Sequence, residues 1–128
     1  VMRSFLVNRM RTFIFTTALP PLNVAWTKFI LSRLGGWNDR RERLAEAALR
    51  VQAAVRGAGR ECPSSSHIVP LIVGESNQTI LKAEDMQRKG FYVLPVRPPT
   101  VPEGTSRLRI SLTAAVTEEE VDSLCREL

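Results

Sequence analysis

Residues 92–113, YVLPVRPPTVPEGTSRLRISLT, read as a short apolar strand, a proline-stiffened loop and a second strand that carries arginines. In the second strand Arg107, Arg109, Ser111 and Thr113 alternate with Leu108, Ile110 and Leu112. Side chains alternate faces along a strand, so the aliphatics turn inward and both guanidiniums share the other face. Arginine suits two-pronged recognition of a carboxylate or phosphate. A strand aims it, and Pro98, Pro99 and Pro102 stiffen the loop that frames it.

Working toward the N-terminus, each element follows from its own punctuation. Phe91–Val96 is the first strand of the pair. Gly90 stops a helix that begins near Ser76, with Ser76 as its expected cap. Ile68–Val73 is an apolar run of strand length in which Pro70 places a missing donor at an edge or bulge. Leu44, Ala47, Ala48, Val51, Ala54, Val55 and Ala58 recur at helical spacing. Asn38 is the expected N-cap of that helix and Gly59 its stop. Pro21 is placed to open an earlier helix, ended by Gly35-Gly36. Residues 1–8 read as a helix tail and residues 11–17 as an extended segment. Toward the C-terminus, Thr117 and Glu120 form a capping box for a helix over residues 118–128. The fold class expected is α+β, a small, mostly antiparallel sheet with helices on one face. Residues 1–36 read as the end of another unit and residues 37–128 as the α+β domain.

Composition narrows the function. Of 128 residues, 44% are hydrophobic and 24% charged, as in a globular chain rather than a disordered one. No apolar run approaches the ~18 residues needed to cross a bilayer, so no membrane role is expected. The net charge of +5 comes entirely from Arg3, Arg9, Arg11, Lys28 and Arg33, because residues 1–36 hold no acid. A targeting leader or a nucleic-acid-binding arm would have that bias. The reading adopted is a chain that starts mid-protein, at Val1, with no nucleic-acid partner. Cys62 and Cys125 form no CxxC pattern, and a reduced, cytoplasmic setting is expected. One histidine, His67, gives neither a metal cluster nor a catalytic triad. No glycine-rich phosphate loop is present. The chemistry in sight is anion binding without a catalyst.

Three phrases occur in order: TTALPP at residues 16–21, VPLIVG at residues 69–74, and RPPTVPxGTxRLR at residues 97–109. Together they resemble the C-terminal third of the α-oxoamine synthase family of fold-type-I pyridoxal-phosphate enzymes. The third phrase is most similar to the biotin-pathway branch, which joins a pimeloyl thioester to L-alanine. The aminolevulinate- and aminoketobutyrate-forming branches share the layout. The resemblance implies that Arg109 binds the amino-acid carboxylate and that Arg97 lies on the approach to the substrate. Thr100 would line the same cleft. Thr17 would touch the pyridoxal phosphate of the neighbouring subunit, which makes a homodimer part of the site. It further implies that residues 1–36 end the large cofactor domain. The Schiff-base lysine, the stacking histidine and the pyridine-pairing aspartate map onto no residue here, so the chain alone is expected to be inactive. A non-catalytic domain that binds a carboxylate or a partner is the alternative. Arg107 reads as a solvated or salt-bridged strand residue.

Overall fold

A computed structural model describes residues 1–11 and 19–128. The chain divides into two compact units, Val1–Trp37 and Asn38–Leu128. The first contains α1 (Met2–Arg9), α2 (Pro21–Arg33) and a 3₁₀ turn at Leu34–Gly36. Pro21 opens α2 as expected, and the expected extended segment begins on helical backbone at Arg11. The rest of that segment, Thr17 included, lies outside the described residues. Neither α1 nor α2 has a buried residue. Trp26 and Phe29 stack with ring centroids 5.9 Å apart, and the Arg33 guanidinium sits 5.2 Å from the Phe29 ring.

The second unit is an α+β layer pair. It runs α3 (Asn38–Gly57), β1 (Ile68–Gly74), α4 (Ser76–Arg88), β2 (Leu94–Val96), β3 (Ser106–Ser111) and α5 (Glu118–Arg126). The sheet is antiparallel in the order β1-β3-β2. Val51, Val55, Val69, Leu71, Met86, Leu108, Ile110, Val121 and Leu124 form the centre of the core. They come from one stripe of each helix and alternate positions of β1 and β3, which is the period-2 and period-3.6 patterning of the sequence made physical.

Helix ends follow backbone chemistry. At the end of α3 the Arg60 N–H bonds the Val55 carbonyl and the Gly59 N–H bonds that of Arg56, with Gly59 at φ +73°. The end of α4 repeats this with Phe91 to Met86, Gly90 to Gln87, and Gly90 at φ +92°. Both are Schellman endings, in which only glycine adopts the left-handed position without penalty. The capping box of α5 is present in both directions. Two expected caps are corrected. Glu75, not Ser76, caps α4, because its longer side chain reaches the Gln78 N–H. Asn38 is the first helical residue of α3, and its side-chain oxygen accepts from Arg41 Nη1.

Both prolines of the outer strands sit where a donor is not needed. The carbonyls of Ile68 and Ile72 accept from Ser64 Oγ and Arg60 Nη1, not from β3. Backbone groups alternate edges along a strand, so Pro70 between them turns its nitrogen to the outer edge. Arg109, opposite Pro70, must then direct its backbone groups toward Leu94, and Pro95 next to Leu94 faces outward in turn.

Candidate functional site

Register fixes which side chains share the face away from the helices. Opposite residues of an antiparallel pair project to the same side. Arg109 is flanked by Pro70 and Leu94, Arg107 by Ile72 and Val96, and Ser111 by Ile68. The other face carries Val69 against Ile110, and Leu71, Leu108 and Pro95 in one row. Arg109 therefore stands in the central strand, exposed, with aliphatic or proline neighbours on both sides. Among the described residues it has no acid, carbonyl or ring as a partner. A guanidinium fixed at its root with its fork unspent is the chemistry required to take a carboxylate from outside.

Arg97 follows β2 directly and is exposed. Its carbonyl accepts from the Thr100 N–H at 3.0 Å, which closes a turn over Pro98 and Pro99 and leaves the exposed Thr100 side chain on the loop. Leu94 pairs with Arg109, so Arg97 lies three residues farther on, roughly 10 Å along the strand direction. Arg97, Thr100 and Arg109 thus share one hairpin, with Arg109 on the sheet and the other two at its loop end. Thr17 falls outside the described residues.

Arg107 differs from its reading as solvated or salt-bridged. It is half-buried, and its Nε donates to the Thr105 carbonyl at 2.9 Å. The signal in the sequence was its place two residues beyond a turn that Gly104 makes possible, with φ +73°. A second contact lay beyond sequence reading. Ser106 is fully buried, and its hydroxyl lies 3.2 Å from that of Ser76 at the start of α4.

Lys82 and Lys89 do not fit as a tether for an aldehyde cofactor. Lys82 Nζ donates to the Glu127 carbonyl at 3.0 Å. Lys89 Nζ lies 2.6 Å from Glu127 and 3.1 Å from Asp85, and these two acids raise its pKa. Together they clasp the end of α5 to α4. Lys28 lies in α2, in the other unit. Burial raises the Cys125 pKa, which favours the unreactive thiol. No cluster of three metal-ligating side chains occurs among the described residues. Nor is any described helix long and apolar enough to cross a membrane. Recesses of about 450 Å³ beside Phe91 and Leu124, and about 530 Å³ beside Leu49 and His67, are lined by neither Arg97 nor Arg109.

The fold and face define an α+β domain with exposed arginines on one hairpin and with Lys82 and Lys89 engaged by Glu127. The chain belongs to the aminotransferase class I and II family, whose model matches residues 1–128. It is 45% identical over 97% of its length to the 8-amino-7-oxononanoate synthase of Haemophilus ducreyi. A Haemophilus influenzae relative named for the same activity is 48% identical over 94% of the chain. In both cases the chain spans about a third of the relative's length (32%). Among solved structures, Sphingomonas wittichii serine palmitoyltransferase superposes with a TM-score of 0.88 at 27% identity, covering 98% of this chain and 32% of that one. The 8-amino-7-oxononanoate synthase of Francisella tularensis, at 24% identity, shares the fold with a TM-score of 0.82 over 98% of this chain and 37% of that one.

Proposed function

We propose that this chain is the C-terminal part of a pyridoxal-phosphate-dependent acyltransferase that condenses a pimeloyl thioester with L-alanine to give 8-amino-7-oxononanoate. The observation that carries the reading is Arg109. It is an exposed guanidinium without a partner among the described residues, centred on a sheet face between Pro70 and Leu94. Relatives named for that synthase are 45–48% identical over more than nine-tenths of this chain, which supports the alanine-using branch.

In this reading Arg109 takes the alanine carboxylate by two parallel N–H···O bonds, and its neighbours Pro70 and Leu94 offer no competing side-chain partner. That fixes the amino acid at one end and leaves its Cα to face the acyl donor. Arg97 and Thr100 line the approach from the loop end. Pyridoxal phosphate, when bound, supplies the electron sink for loss of carbon dioxide and formation of the new carbon–carbon bond. Its tether comes from outside this chain, because the family's Schiff-base lysine maps onto no residue here; the engagement of Lys82 and Lys89 with Glu127 supports that reading. The 128-residue chain is therefore inactive by itself. Residues 1–36 end the large cofactor domain, residues 37–128 form the small domain, and Thr17 reaches the cofactor phosphate of the neighbouring subunit in a cytoplasmic homodimer.

The test uses the full-length polypeptide that contains this chain. With pyridoxal phosphate, L-alanine and a pimeloyl thioester it releases carbon dioxide and the free thiol. Arg109→Ala raises the alanine KM and lowers kcat/KM about ten- to a hundredfold, the worth of a charged hydrogen-bonded pair. A wild-type protein that prefers glycine or serine, or a short acyl donor, overturns the substrate assignment. Unchanged kinetics in the variant overturn the role of Arg109.

A further inference from the structure

Val96 and Arg107 are the last pair of the β2–β3 hairpin, so the loop that carries Arg97 and Thr100 is held from that pair. Arg107 stands at this base on the open face, and its cross-strand neighbours there are Ile72 and Val96, neither of them an acid. Its one polar contact among the described residues is to the main chain, from Nε to the Thr105 carbonyl at 2.9 Å. Thr105 in turn donates to the Pro102 carbonyl, through its N–H at 3.2 Å and its hydroxyl at 2.7 Å. The turn between them depends on Gly104 at φ +73°. The Gly104 carbonyl lies 3.5 Å from the place a Cβ would take on Gly74, so the far side of the loop rests on the turn that follows β1. A series of contacts thus runs from Arg107 through Thr105 to Pro102.

A guanidinium that is half-buried, faces no acid and commits its innermost nitrogen to a main-chain carbonyl acts through geometry more than through charge. We propose that Arg107 is a positioning residue: by holding the Thr105 carbonyl it sets the loop, and with it the places where Arg97 and Thr100 meet the substrate. This rests on the functional reading above, in which those two residues line the substrate site.

Side-chain chemistry gives a direct test. The Nε2 of glutamine sits at the same place along its side chain as the Nε of arginine and also donates. Lysine keeps the charge but has a methylene at that place. In the full-length enzyme, Arg107→Met and Arg107→Lys lower kcat/KM on the order of tenfold, and Arg107→Gln restores most of it. In a background lacking the Arg97 and Thr100 side chains (both changed to Ala), Arg107→Met has little further effect, because nothing is left to position. Combined with Arg109→Ala, its effect multiplies. If lysine preserves activity and glutamine does not, the charge itself acts and the proposal is overturned. A loss that persists undiminished in the Arg97/Thr100 background overturns it as well. If Arg97→Ala and Thr100→Ala leave activity untouched, the functional reading of the loop fails, an outcome distinct from failure of Arg107 alone.

Discussion

The two faces of the three-stranded sheet use the same backbone for different ends. Toward the helices, Val69, Leu71, Leu108 and Ile110 are at most 3% exposed. On the opposite face Arg109 and Leu94 are open and Arg107 is half-covered. Neighbouring residues of β3 thus belong alternately to the core and to the open face. Changes on one face should move stability and changes on the other should move activity, even though they are one residue apart.

The largest effect should come from the core face. Leu108→Ala removes a fully buried side chain and should cost about 2–5 kcal/mol, read by denaturant unfolding of the 128-residue chain. Its neighbour Arg109→Ala should change that stability by less than about 0.5 kcal/mol while losing the ten- to hundredfold in kcat/KM given above. A large unfolding shift from Arg109→Ala would break the comparison. Thr117→Ala tests the helical layer at its margin. It removes the hydroxyl that accepts from the Glu120 N–H at 3.2 Å and should cost about 1 kcal/mol. Arg50 and Asp122 join α3 to α5 with half-exposed side chains, and a double-mutant cycle on this pair should give only about 0.2–1 kcal/mol.

The smallest effect is a pH dependence at the start of α4. The Gln78 and Asn77 N–H groups lower the Glu75 pKa below its ordinary 4.5. A depressed carboxylate stabilises the fold above its unfolded pKa and loses that contribution as the pH falls through the folded one. Glu75→Gln should therefore lower stability slightly at neutral pH, converge with the parent at acid pH, and so flatten the acid limb of the profile. An equally steep acid limb in the variant would remove Glu75 from the account.

The core face was the more legible of the two. Alternation in residues 107–113 placed Leu108 and Ile110 inward, and Gly59, Gly90 and the Thr117–Glu120 box marked helix ends because each demands a specific backbone geometry. Strand lengths were less legible. Phe91–Val96 shortens to Leu94–Val96, since a strand ends where its partner's ladder ends, and that is a tertiary fact. Arg109 could be assigned to a face but not to a neighbourhood. Pro70 and Leu94 come beside it only through the β1-β3-β2 order, which local patterns do not encode. Glu75 escaped because Ser and Thr have the stronger prior as caps. The bond from Arg107 to Thr105 escaped because a charged strand residue suggests water or an acid before it suggests a carbonyl two residues away.

The outward-facing nitrogens of Pro70 and Pro95 have a consequence for the molecule in a crowded solution. A three-stranded sheet has two free borders, and an exposed border invites another chain to pair with it and start an aggregate. Here each border lacks a donor at mid-strand, and Ser64 and Arg60 occupy two acceptors along β1. The sheet can keep a face open while both of its borders discourage further strands.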